Sequence, residues 1–204
     1  MGVQYFIIFF DDFDTKKPIN DLLLIALKNT LFLIMESLFE KISPEDITDN
    51  IFKLIDKDWM LVTAGSLEHY NMMTASWAGF GILWHKPVAF SFIRPNRHTF
   101  QFTEKHEMLT LTFFEEKYRR ILNFCGSNSG RDVDKMKESG LKPILTPGGS
   151  VGFEQATLIL ECKKLYADTI KPEFFLDPKI DKNYPLKDFH MMYISEITGC
   201  YTRK

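Results

Sequence analysis

The chain has 204 residues, is 45% hydrophobic and carries a formal net charge of −2. That is enough for one good core and one domain with an appendage. The near-neutral charge excludes general attraction to nucleic acid or an anionic membrane, so any anion site must be a local cluster.

In chain order, Tyr5 to Phe10 comes first. It is apolar but short, follows no basic region and runs into Asp11, Asp12 and Asp14, which makes it a poor signal peptide. Leu22 to Met35 is interrupted by Lys28, Asn29 and Thr30, short of the roughly 20 apolar residues of a membrane span, so it predicts a helix. Apolar positions cover nearly all its sides, and it should bury itself against the rest of the fold or a second subunit. Residues 1–40 read as an N-terminal extension, with an upstream start misassigned in the gene as the bland alternative, and residues 41–204 as the main domain. Ser43-Pro44-Glu45-Asp46 predicts an N-cap and a short helix to about Asp56. Strands are predicted at Trp59 to Ala64, Val88 to Ile93, Thr99 to Thr103 and Met108 to Phe114. Phe100 and Phe102, then Leu109, Leu111 and Phe113, alternate with polar residues. Glu116 to Asn123 and Arg131 to Ser139 have helical character, the second closed by Gly140 and Pro143. Thr157 to Tyr166 and His190 to Ile197 supply later strands. The reading is mainly β (α+β), with closely spaced strands pointing to a barrel and helices at its periphery.

Five segments carry the chemistry: Trp59-Met60-Leu61-Val62-Thr63-Ala64-Gly65, Asn71-Met72-Met73-Thr74-Ala75-Ser76-Trp77, Ile93-Arg94-Pro95-Asn96-Arg97-His98-Thr99, Cys125 to Lys135 and Asp188 to Ile197. In this order over Lys41 to Lys204 they resemble the flavin reductase-like, flavoredoxin-type family. The resemblance implies an FMN-binding split β-barrel that forms a homodimer, with the flavin at or near the subunit interface. One position departs from the pattern. The family usually has Gly before the Glu of the last motif, and here it is Ser195, which would be strained if that position requires a positive φ.

A flavin mononucleotide asks a different residue type of each of its parts. For the dianionic phosphate, Arg94 and Arg97 offer guanidinium forks and Thr99 a hydroxyl, with Pro95 keeping Arg94 extended. The bland alternative is a solvated basic strand end. Ser129 and Gly130 precede a predicted helix whose free amides can take an anion, and Arg131 and Lys135 bring positive charge to the same end. Asp132 and Asp134 cap that helix or pair with the basic residues. For the ring, small Ala75 and Ser76 let the backbone approach its edge, Asn71 and Thr74 offer side-chain donors, and Trp77 offers a flat face. Trp77 as a plain core aromatic is the alternative, and Trp84 reads as core. These groups would tune the flavin more than perform acid-base chemistry.

The resemblance places a histidine at His190, near the flavin or its reductant, in an orienting role. A partly buried structural histidine is the competing reading. His69, His85, His98 and His106 lack metal-ligand spacing and read as surface or loop residues, so no metal is expected. Gly148-Gly149-x-x-Gly152 follows no strand, so NADH or NADPH would bind transiently against the flavin instead of in a Rossmann crevice. Cys125, Cys162 and Cys200 are widely spaced without a Cys-x-x-Cys pair, which argues against a disulfide framework or a zinc knuckle and fits a reducing cytoplasm. Cys125 reads as a small buried hydrophobe. The reading is an NAD(P)H-linked flavin reductase or related oxidoreductase. The alternative is an FMN-binding electron carrier reduced by a protein donor.

Overall fold

The computed structural model of the chain describes residues 19–204, with side chains from Leu22 onward. The reading of Tyr5 to Phe10 lies outside the described residues. The strands are β1 (Phe39–Ile42), β2 (Met60–Ser66), β3 (His69–Ala75), β4 (Ala78–Leu83), β5 (Lys86–Ile93), β6 (Met108–Phe113), β7 (Pro143–Leu145), β8 (Val151–Phe153), β9 (Leu158–Thr169) and β10 (Met191–Arg203). Eight of them form one antiparallel sheet in the order β3-β2-β6-β9-β10-β5-β4, with β1 also on β10, while β7 and β8 make a separate hairpin. The large sheet curls without closing, which gives a split barrel with peripheral helices. Strand β10 is the shared stave: Met191 to Glu196 pair with β5, and Cys200 to Arg203 pair with β1.

Alternation along the strands sends side chains to two cores. From β2, Met60, Val62 and Ala64 enter one cluster and Leu61 the other; from β9, Leu158, Leu160 and Cys162 enter the first and Ile159 the second. Both faces are covered, which is why these strands read as continuous apolar runs. Helix α1 (Ile19–Leu38) lays Leu31, Ile34, Met35 and Leu38 on the second cluster, the i, i+3, i+4, i+7 stripe of one helix face. Leu23, Ile25, Leu27 and Leu33 are exposed, so the expected burial on all sides is only partly met within one chain. Among the described residues no helix is long and apolar enough to cross a membrane.

Four local readings are corrected, the first being the helix expected from Ser43 to about Asp56, which is a 3-10 turn over Pro44–Asp46 followed by a separate short helix at Ile51–Lys53. The segment Thr99 to Thr103 is not a strand but part of α3 (His98–Lys105), whose buried residues Thr99, Phe102 and Thr103 follow helical spacing. A five-residue run satisfies either period, and packing decides between them. The helix expected over Arg131 to Ser139 shrinks to α5 (Lys135–Glu138), with Asp134 as N-cap accepting from the Lys137 amide at 3.1 Å. Trp84 is not core: it is 52% exposed at the tip of the β4–β5 hairpin. Two other helices complete the frame. The short α2 (Ile51–Lys53) runs into a wider turn over Leu54–Asp58, and α4 (Arg119–Ser127) lies against β3.

Candidate functional site

The ends of β3 and β5 approach each other, and the loops that leave them enclose two neighbouring cavities. The smaller, about 250 Å³, is lined by Thr74, Ala75, Ser76 and Trp77 from the end of β3, by Phe92 of β5 and by His190 just before β10. The larger, about 530 Å³, is lined by His98 and Thr99 at the start of α3, by Ser127, Asn128 and Ser129 after α4, and by Arg131, Asp132, Lys135, Leu186 and Asp188. Met73, Arg94 and Arg97 line both, so the two cavities share a wall.

Pro95 ends β5 and turns the chain, leaving Arg97 as N-cap residue of α3 with an extended backbone. At the start of α3 the Phe100 amide donates to the Arg97 carbonyl at 3.0 Å, while the His98 and Thr99 amides have no intrahelical partner, and both residues line the larger cavity. The misread strand thus supplies an anion-attracting feature that the expected α5 does not, since α5 is a single turn. Arg94, Arg97, Arg131 and Lys135 face only Asp132 and Asp188 among the charged lining residues, an excess of two positive charges.

Each basic residue already has a protein partner. Arg94 Nη1 stands 3.0 Å from both carboxylate oxygens of Asp188, and its Nη2 donates to the Asn183 carbonyl at 2.8 Å. Arg97 Nη1 donates to the Gly126 carbonyl at 2.9 Å, and Arg131 Nη1 to the Asn96 carbonyl at 2.9 Å. Lys135 is 4% exposed, its ammonium bridging the Met72 and Cys125 carbonyls at 3.1 and 2.6 Å. Burial pushes the Lys135 ammonium below its ordinary pKa, with Cys125 opposing and Arg97 adding to the effect.

The other sequence candidates fall in distinct places. Thr74 Oγ1 donates to the Leu122 carbonyl at 2.5 Å and still borders the smaller cavity. Asn71 and Gly130 line neither cavity; they border a third, about 360 Å³, on the far side of His98, Arg131 and Lys135. There Asn71 Nδ2 donates to Thr99 Oγ1 at 2.8 Å, and a Cβ on Gly130 would collide with Asn71 Oδ1 and the His98 ring. Ser129 Oγ accepts from the Arg131 amide at 3.2 Å.

His190 is 7% exposed, its ring centroid 5.0 Å from that of Trp77 and its Nδ1 2.9 Å from the Tyr184 hydroxyl. Burial pushes its pKa down to about 4, helped by Arg94 and opposed by Asp188, so the ring is neutral at pH 7. Trp77 itself is 45% exposed. Ser195 does not have a positive φ, so the substitution for Gly carries no backbone strain there. Its buried Oγ has no hydrogen-bond partner among the described residues.

Sequence reasoning missed Tyr184, His98 and the structural role of Asp188. Asp188 stood inside a quoted motif, but no spacing in the sequence pairs it with Arg94, ninety-four positions earlier. Nothing in the run around Tyr184 marked it. Among the described residues no group of three or more His, Cys, Asp or Glu could hold a metal ion, and the three cysteines are free and buried.

The model of the flavin reductase like domain matches residues 54–204. Comparison with curated proteins by sequence gives no match. An FMN-binding protein from Thermus thermophilus shares the fold with a TM-score of 0.58 at 18% identity, over 80% of this chain and 81% of that one. The flavoredoxin of Desulfovibrio vulgaris (Miyazaki F) gives 0.56 at 19% identity, over 80% and 76%. An NADH:FAD oxidoreductase of Streptomyces globisporus C-1027 gives 0.56 at 14% identity, over 81% and 89%.

Proposed function

This chain belongs to the flavin reductase like domain family, and on that premise we propose that it binds FMN across the two joined cavities and accepts hydride from NADH or NADPH. The observation that carries the reading is the shared wall of Met73, Arg94 and Arg97. It joins a cavity of small residues and Trp77 to one with two positive charges in excess, the shape and charge order of a flavin ring and its dianionic phosphate. Together the cavities fall within the usual range for small-molecule sites.

Each group then has a task. Arg97, the His98 and Thr99 amides at the start of α3, the Thr99 hydroxyl and Ser129 would hold the phosphate. Arg94, tied to Asp188, would add field more than direct contact, and Arg131 and Lys135 would do the same while bracing the loops. Ala75 and Ser76 leave room for a ring edge, and Trp77 covers one side. Bound there, the flavin would supply the two-electron acceptor. Neutral His190 would orient the ring or its reductant by a hydrogen bond, and Asn71 and Gly130 would keep Thr99 and the α3 start in place.

The named relatives support both hydride use and electron carriage, since one is an NADH:FAD oxidoreductase and another a flavoredoxin. The deciding experiment is an anaerobic absorbance record of the FMN-reconstituted protein on adding NADH or NADPH. Fast bleaching is the expected result. A bound flavin reduced by dithionite and by neither nucleotide would replace this reading with that of a carrier served by a protein donor.

We also propose a homodimer, which features of the surface support. Strand β4 is an edge, Ile82 and Trp84 on it and at its tip are exposed, and an apolar cavity of about 560 Å³ between Phe80 and Phe52 lies beside it. The free, buried cysteines suit a reducing compartment such as the cytoplasm.

A further inference from the structure

We propose that Tyr184 is a positioning residue: its hydroxyl donates to His190 Nδ1 and thereby holds the imidazole as the Nε2–H tautomer, so that His190 presents a hydrogen-bond donor, not a base, to a ligand carbonyl oxygen in the cavity beside Trp77. The presentation to a carbonyl rests on the reading that this cavity takes a flavin and its reductant; the tautomer does not.

Tyr184 is 3% exposed, and the only hydrogen-bond partner of its hydroxyl among the described residues is His190 Nδ1, at 2.9 Å. If Nδ1 carried the proton and donated to the phenol, the buried phenolic O–H would be left without an acceptor, which is costly. If Tyr184 donates, every polar atom of the pair is answered. The unprotonated imidazole nitrogen is also the stronger acceptor of the two groups, because the phenol oxygen shares its lone pair with the ring. Nε2 then carries the hydrogen. It has no protein partner among the described residues, is not one of the buried unpartnered atoms, and belongs to a residue lining the smaller cavity.

The tyrosine is itself held. Its ring stacks on Phe175 at 6.1 Å and packs against Phe189 at 4.8 Å, and the Arg94 guanidinium lies 5.2 Å from its centre. That guanidinium is in turn fixed by Asp188. The low pKa of His190 agrees with this picture, since a protonated ring could not accept from the phenol. A chain of packing therefore runs from the segment before β10 to one hydrogen atom at the cavity wall.

The test is long-range proton–nitrogen NMR on the full-length protein with nitrogen-15-labelled histidine, the His190 signals assigned by their absence in His190→Gln. The wild type should show the Nε2–H pattern at pH 7; an Nδ1–H pattern overturns the proposal. Tyr184→Phe keeps the stacking ring and should yield a tautomer mixture that protonates at a higher pH. An unchanged spectrum in that variant overturns it too. Adding FMN and then NAD+ locates the acceptor: an Nε2 shift with FMN assigns a flavin carbonyl, a shift only with NAD+ assigns the nicotinamide carboxamide, and no shift with either overturns the presentation to a ligand. In turnover, Tyr184→Phe should slow flavin reduction about 2- to 10-fold, the range of one neutral hydrogen bond. If neither nucleotide reduces wild-type flavin, the functional reading fails while the tautomer result stands.

Discussion

Arg94 and Asp188, ninety-four positions apart, are joined by a guanidinium nitrogen 3.0 Å from both carboxylate oxygens. Asn96 adds a hydrogen bond to the same carboxylate at 2.7 Å. Burial alone would raise the Asp188 pKa, but the Arg94 hydrogen bond, a backbone hydrogen bond and the Arg94 charge together outweigh it, so the carboxyl is held below its usual range. The pair stitches the end of β5 to the segment before β10. Arg94→Ala should therefore cost stability, by about 1.5–3 kcal/mol for a charged hydrogen-bonded partner. Thermal melting of the flavin-free protein checks this, at about 2–4 °C per kcal/mol for a chain of this size. An unchanged melting temperature would show that the pair contributes nothing.

Arg97 and Lys135 should separate in their effects. Arg97→Ala is expected to weaken FMN binding by about 1.5–3 kcal/mol, or about 10- to 150-fold in Kd, with little loss of stability. Lys135→Met strands the Met72 and Cys125 carbonyls, so it should destabilise the fold by about 1–3 kcal/mol as well as weaken binding. Fluorescence titration with FMN and urea unfolding measure the two quantities. Unchanged affinity in both variants would remove these residues from the phosphate site.

His190 carries a pH signature. Its folded pKa of about 4 lies below the ordinary value of 6.5, so between those limits the unfolded chain binds the proton and the folded one does not. The contribution is fully present above pH 6.5 and is lost as pH falls toward 4. Urea midpoints at pH 7.5 and pH 4.5 should differ less in His190→Gln than in the wild type. Equal differences would mean that His190 titrates normally.

Gly130 has no room for a side chain. Gly130→Ala would push on Asn71 and His98 and loosen the Asn71 to Thr99 hydrogen bond. A loss of about 1–3 kcal/mol is expected for such overpacking, with weaker FMN binding because Thr99 borders the larger cavity. Unfolding and titration of the one variant test both statements.

Trp84 and His85 both have positive φ in the two-residue turn between β4 and β5, a conformation suited to Asn-Gly. Replacing the pair by Asn-Gly should relieve the turn and raise monomer stability. If the exposed Trp84 serves the dimer, the same change should lower the mass measured by light scattering at micromolar concentration. A stable, unshifted dimer would place the interface elsewhere.

Sequence by itself determined a good deal: the strands β2, β5, β6, β9 and β10, the helix α1, the family, and the Thr74 to Trp77 and Arg94 to Thr99 segments that border one site. These follow from period, local composition and motif order, which act over a few neighbouring residues. Only the tertiary structure decided that residues 99–103 are helical, because a five-residue run of alternating Phe and polar residues satisfies two periods and only burial against β2 and β3 selects one. It also decided who partners whom. Lys135 and Arg131 looked free for a phosphate and are in fact engaged by backbone carbonyls, Asn71 turned from the ring end to Thr99, and Tyr184 reached His190. Such pairings depend on which loops the curled sheet brings together across many intervening residues, and no local pattern in the chain encodes that distance.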